Sequence, residues 1–161
     1  MRTRRRTVLL RAGLGLFAVA VLLQLLPYGR DHTNPPVTQD APWPGGRARE
    51  LATAACYDCH SNQTRWPLQS FVAPFSWMIA RDVEQGRDEL NFSTWDSDDG
   101  EADDAADAVA EASMPPRRYL LAHPGAALSD AERQILVDAL EAMDRAGGGD
   151  GGEDRSGPGA G

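Results

Sequence analysis

Two thiols and an imidazole fall within five residues at Cys56-Tyr57-Asp58-Cys59-His60. Thiols three positions apart can add across the two vinyl groups of a porphyrin, and an imidazole on the next residue can ligate its iron. C-x-x-C followed at once by His is the spacing on which haem is attached covalently. On a helix the three residues stand at i, i+3 and i+4, so a single turn projects all of them from one face. The same cysteine spacing also serves redox dithiols and zinc half-sites. Cys56 and Cys59 are the only cysteines in the chain, which excludes a four-cysteine zinc site. A two-cysteine, two-histidine site would have to recruit His32 or His123 from far along the sequence. A redox dithiol usually opens a helix after a strand, whereas this motif closes a helical stripe with no strand pattern before it.

An iron that exchanges electrons without binding small molecules needs a sixth ligand. Met78, Met114, Met143, His32 and His123 are the candidates. Met78 and Met143 lie on apolar helical stripes, where a methionine is packing, and His32 lies in a proline-rich stretch. Met114 is explained by no helical pattern, and Pro115-Pro116 after it hold the loop extended and can present a thioether rigidly. His123, also followed by a proline, is the alternative to Met114. His60 should donate its second ring N–H to a backbone carbonyl, for which Pro67 or Pro74 are expected providers. Trp66, Arg117, Arg118 and Tyr119 are candidate propionate donors or pocket contacts, while Trp77 and Trp95 read as core or pocket wall.

The elements that must position these groups can be read along the chain. Residues 1–7 are basic, and Val8 to Leu26 is apolar apart from Arg11 and Gln24. Nineteen helical residues span roughly 28 Å, close to the hydrocarbon thickness of a bilayer. Residues 8–28 are therefore expected to form a transmembrane anchor. The uninterrupted apolar core, Ala12 to Leu23, is short enough for a cleaved signal peptide, but Leu25 to Arg30 offers no small-x-small cleavage site, so an uncleaved anchor is favoured over that alternative. Arg2, Arg4, Arg5, Arg6 and Arg11 would hold the N-terminus in the cytoplasm and place the remainder on the outer or periplasmic face.

Residues 29–46, with Pro35, Pro36, Pro42 and Pro44, read as an extended linker that can hardly pack. Residues 47–145 carry the helical patterns of one domain. Ala48, Leu51, Ala52, Ala55 and Cys59 form the stripe leading into the motif. Phe75, Ile79 and Val83 predict a second helix, stopped by Gly86. Leu90 to Trp95 reads as pocket wall, and Asp96 to Ser113 as an acidic helix with Ala102, Ala105, Ala106, Val109 and Ala112 on one side. Ser129-Asp130-Ala131-Glu132 fits a capping box opening the last helix, with Ile135, Leu136, Ala139 and Met143 as its buried stripe. Residues 146–161 read as a disordered Gly-rich tail.

Beyond residue 30 the chain carries ten arginines against twenty-four acids, a net charge of −14. Such a surface repels nucleic acid and would attract a redox partner with a basic docking face.

Several motifs together resemble a known family. Cys56-Tyr-Asp-Cys59-His60-Ser-Asn62-x-Thr64-x-Trp66-Pro67, Ala73-Pro74-x-Ser76-Trp77-x-Ile79, Asp82-Val83-x-x-Gly86-Arg87, Leu90-Asn-Phe-Ser93-x-Trp95, Met114-Pro-Pro-x-x-Tyr119 and His123-Pro124 are similar to the small c-type haem-binding domains of bacterial envelope proteins. The resemblance implies one covalent haem c on Cys56 and Cys59, with His60 proximal and Met114 distal. The expected protein is an all-α, cytochrome c-like helical domain behind one N-terminal transmembrane helix. It would transfer single electrons rather than catalyse bond chemistry. A haem-based redox or gas sensor, and a haem peroxidase using His123 over an open iron, are the alternatives.

Overall fold

The computed structural model describes residues 2–95 and 102–147. The tail expected from residue 146 lies outside them beyond Gly147, as does the start of the acidic run at 96–101. Among the described residues all regular structure is helical, so the all-α expectation holds. The helices are α1 (Arg2–Gln24), α2 (Gly46–Ala55), α3 (Tyr57–His60), α4 (Phe75–Glu89), α5 (Ala102–Ala110), α6 (Arg117–Ala122) and α7 (Asp130–Gly147). The chain forms two compact units, Met1–Thr33 with Trp66–Asp82, and Asn34–Arg65 with Val83–Gly161.

In the first unit α1 is long and apolar enough to cross a membrane over Arg4–Gln24, and the side chains of its apolar window are unburied. Its last residue turns back on the chain. Gln24 donates from Nε2 to the Phe71 carbonyl at 2.8 Å and accepts from the Ala73 N–H at 2.8 Å, closing both ends of one amide on a single loop. That loop opens with a 3₁₀ turn over Leu68–Phe71. His32 stacks on Trp66 with ring centroids 4.6 Å apart, and its Nε2 lies 3.0 Å from the Ser70 carbonyl. Gly29 adopts a φ of 72° where a Cβ would sit 2.6 Å from the Ser76 carbonyl oxygen. Only glycine fits there without displacement.

The second unit corrects the expected linker. Thr38 and Gln39 donate to the Ser93 carbonyl at 3.0 and 3.2 Å, and Ala41 donates to Phe92 at 2.8 Å. Trp95 donates back to Gln39 at 3.2 Å. The prolines leave the N–H groups between them available, and a proline-rich extended segment suits a sheet-like edge. Ala41 is buried, and Trp43 packs against the core. Residues 34–46 are thus a strap over 92–95 and not a free spacer. Under it, Tyr57 stacks on Phe92 at 5.5 Å and Phe92 on Trp95 at 6.1 Å. Trp43 Nε1 donates to the Tyr57 hydroxyl at 2.8 Å, giving the half-buried indole its partner.

Phe92 joins Ala52, Leu136, Leu140 and Met143 in the core, where α7 packs along α5 and meets α2. Met143 is 2% exposed, in keeping with its reading as packing. The last helix opens as the capping box requires: Ser129 N–H donates to Glu132 Oε2 at 3.0 Å, and Glu132 N–H donates to Ser129 Oγ at 3.4 Å.

Three stripes differ from expectation. On α7, Ile135 is exposed, and Val137 and Leu140 are buried in addition to Leu136, Ala139 and Met143. On α4, Phe75 and Met78 are exposed, while Ser76, Ala80, Val83 and Gly86 face inward. The helix also runs through Gly86 to Glu89. Of the expected stripe Val83 is buried and Ile79 partly buried, and only Phe75 is exposed; small residues, Ser76, Ala80 and Gly86, fill the rest of the packed face. On α5, Ala112 lies beyond the helix end and is exposed.

Candidate functional site

The Cys-His motif is built by a break and restart of the helix. α2 ends at Ala55, and Cys56 takes φ −123° and ψ −40° while still donating to Ala52 at 2.8 Å. Cys59 and His60 both donate to the Cys56 carbonyl, at 3.0 and 2.9 Å. The expected single turn is therefore present as α3, a tight turn angled off α2.

His60 is clamped from the segment that follows α4. Its Nδ1 lies 3.2 Å from the Leu90 carbonyl, while Phe92 N–H donates to the His60 carbonyl at 2.9 Å. A carbonyl only accepts, so Nδ1 carries the proton and Nε2 keeps its lone pair. Burial, partly offset by hydrogen bonds to the Leu90 and Gly86 backbone, lowers the imidazole pKa and keeps the ring neutral. A neutral imidazole with one nitrogen held by a carbonyl is the form that ligates metal. The carbonyl belongs to Leu90, not to Pro67 or Pro74 as expected. Gly86 explains the difference. A Cβ there would lie 2.7 Å from the Cys59 carbonyl oxygen, so glycine lets α4 close on the motif's backbone and deliver Leu90 one turn later.

Behind the motif, Asp58 forms a brace that the sequence did not disclose. This buried carboxylate accepts from the Tyr119 hydroxyl at 2.8 Å, the Arg65 backbone N–H at 3.1 Å and Arg65 Nε at 3.2 Å. Tyr119 also donates to the Ala54 carbonyl at 3.3 Å. Buried Asn62, Asn91 and Ser93 add a second lock: Asn91 Nδ2 donates to Asn62 Oδ1 at 2.9 Å, and Asn62 N–H donates to Ser93 Oγ at 3.0 Å.

The brace carries a pH prediction. Burial first, then its partnership with Asp58, raises the Tyr119 pKa above the ordinary phenol value, and burial likewise raises that of Tyr57. A phenol that holds its proton more tightly when folded favours folding fully below the unfolded pKa of about 10 and loses that contribution as pH rises above it. Denaturation midpoints should therefore fall across the alkaline range above roughly pH 10. Tyr119→Phe should show a shallower fall. An unchanged slope would remove Tyr119 from this role.

In front of the motif lies a cavity of about 290 Å³, near the lower end of volumes that hold small ligands. Its wall is mostly apolar, from Ala55, Leu90, Phe92, Ala105, Ala108, Val109 and Leu140, and includes Cys56, His60 and Met114. The structure thus brings a thiol, the imidazole and the thioether to one space. Burial, reinforced by the neighbouring Cys59, pushes the Cys56 thiol up to about 12, so it stands protonated. Cys59 is half-buried one turn on, its carbonyl and Cβ where Gly86 approaches.

Met114 reaches this wall through a Schellman-type end to α5. Ala112 takes φ 59°, Ala112 N–H donates to Val109 and Ser113 N–H to Ala108, each at 3.1 Å. Met114 N–H also reaches the Ala108 carbonyl, at 3.1 Å. The chain reverses tightly there, so the residue next after the reversal is directed at the core.

Other expected site residues lie elsewhere. His123 stacks on Tyr119 at 4.2 Å with Nδ1 3.2 Å from the Tyr119 carbonyl, and it does not line the cavity. Tyr119 serves the brace, and Arg117 is exposed on α6; neither lines the cavity. Trp66 belongs to the first unit. The charged groups that do line it, Glu89 and Asp104, are acids that the sequence reading passed over. Both are exposed and sit on polar faces of their helices, where charge is ordinary.

A flat apolar macrocycle with a central metal fits this donor set: apolar walls, a neutral imidazole with a free lone pair, a thioether and an adjacent thiol pair. A family model described as a haem-binding domain matches residues 18–142, from within α1 to within α7. No curated protein and no solved structure gives a significant match.

Proposed function

The chain belongs to the haem-binding domain family, and from that premise we propose that it is a membrane-anchored, cytochrome c-like carrier of single electrons holding one haem c. The observation that carries the reading is the common cavity wall of Cys56, His60 and Met114. In this reading Cys56 and Cys59 would hold the porphyrin edge as thioethers, and His60 Nε2 and Met114 Sγ would ligate its iron. When bound, the haem supplies a ferric/ferrous one-electron couple. The chain's own residues orient it and exclude water. Leu90 fixes the imidazole tautomer, the apolar wall keeps the local dielectric low, and a neutral thioether favours the ferrous state.

The acids Glu89 and Asp104 at the cavity support a partner of opposite charge, since complementary fields accelerate encounter between redox proteins. α1 supports a single-pass anchor, with its arginine-rich end in the cytoplasm and the haem domain on the opposite face. No side chain in this reading makes or breaks substrate bonds.

The test is the chain produced with haem-attachment machinery. Haem should remain on the polypeptide after denaturation, adding the mass of one haem, and the spectrum should be low-spin in both oxidation states. Reduced protein should not take up carbon monoxide readily. Haem extractable by acid and organic solvent would refute covalent attachment. A reduced form that binds carbon monoxide at once would refute a firm sixth ligand and favour a sensor or peroxidase.

A further inference from the structure

The first unit exposes large apolar side chains well beyond α1. Leu68 is 84% exposed, and Phe71, Val72, Phe75 and Met78 are each about half exposed or more. They fall within Trp66 to Ala80, a run without a single charged residue in a chain that is 25% charged. A soluble surface seldom concentrates apolar groups this way unless it meets a partner or a membrane.

The structure also fixes where this patch lies along α1. Both ends of the Gln24 amide are bonded to the loop, at Phe71 and Ala73. Gly29 allows the chain leaving α1 to lie against the Ser76 backbone. The patch is therefore tied to the last turn of α1, where a membrane-spanning α1 would leave the hydrocarbon. Interfaces of this kind favour Trp and Tyr. Tyr28 is half exposed here, beside the last turn of α1.

We infer that Leu68 to Met78 is an interfacial foot, a second membrane contact that seats the 3₁₀ turn and the start of α4 in the outer lipid surface. The occupant is a phospholipid bilayer. The inference rests on α1 spanning that bilayer, because α1 sets the foot's depth. An uncharged foot gains from burial of its apolar side chains without requiring anionic lipid.

The full-length holoprotein can be placed, one copy per disc, in phosphatidylcholine nanodiscs doped with a phosphatidylcholine whose acyl chain carries a diazirine near the glycerol. One copy per disc removes a second chain as an occupant. After illumination, cleavage at arginine yields three informative peptides: Ala12–Arg30 from α1, Trp66–Arg81 from the foot, and Tyr119–Arg133, which contains Leu121, 88% exposed in the other unit. Lipid adducts on Trp66–Arg81 several-fold above those on Tyr119–Arg133, together with adducts on Ala12–Arg30, are the expected result. Leu68→Asp with Phe75→Asp should strip the adducts from the foot and leave those on α1. Adducts on α1 with the foot no higher than Tyr119–Arg133 would overturn the foot and keep the anchor. Absence of adducts on α1 would overturn both.

Discussion

On the proposed ligation, a Met114→Ala variant is expected to keep its haem, lose the low-spin ferrous spectrum and bind carbon monoxide on reduction. Its reduction potential should also fall, by on the order of a hundred millivolts, because thioether ligation favours ferrous iron and axial ligands set potentials over a wide range. The structure supplies a control. Met143 is 2% exposed in the core, so Met143→Ala should cost about 2–5 kcal/mol of stability through the cavity it leaves while sparing spectrum and potential. Met114 is only partly buried against that core, and its removal should cost less stability. A Met114→Ala protein with the parent spectrum and potential would end the ligand assignment. Equal spectral change in both variants would trace the effect to loosened packing.

The second large effect falls on a residue with no side chain. Gly86→Ala would normally stabilise a helix by about 1 kcal/mol. Here the new methyl would stand 2.7 Å from the Cys59 carbonyl oxygen and 3.0 Å from its carbonyl carbon and Cβ. Backbone cannot swing aside as a side-chain tip can, so overlap outweighs propensity and a net loss of about 1–3 kcal/mol is expected. The damage should also be spectroscopic. Leu90 N–H donates to Gly86 at 3.0 Å, so pushing α4 outward carries the Leu90 carbonyl away from His60. Thermal melting together with the haem spectrum measures both consequences. A variant as stable as the parent would show that α4 does not press on the motif.

These two positions illustrate how unevenly the structure can be read from sequence. The motif at Cys56 to His60 was legible because its residue types and spacing are local in sequence, and the structure sets Cys56 and His60 on one cavity wall. The Ser129/Glu132 box was legible because its partners are three residues apart. Met114 stood out by elimination, since it lies outside every stripe. Leu90 could not be found, because a backbone carbonyl acts regardless of its side chain, and it reaches His60 from 30 residues along the chain only because Gly86 lets α4 close on Cys59. The strap at 34–46 was misread because prolines suggest extension, and extension alone does not tell whether a neighbouring edge will accept the free N–H groups. Asp58 was hidden inside the motif, where the variable positions are usually discounted; its partner Tyr119 is 61 residues away.

His60 and Met114 face one cavity from positions 54 residues apart along the chain. Ligation by both would make the iron a removable cross-link in a polymer loop of that length. Closing such a loop costs entropy that grows only logarithmically with span, by about 0.6 kcal/mol per doubling. Once the rest of the fold has drawn the ends together, most of that cost has already been met. The Met114 bond could then break and reform with little change elsewhere, while the Cys56 and Cys59 attachments, closing only a turn, would keep the group on the chain. The tether would be local and permanent, and the long-range contact would be the reversible one.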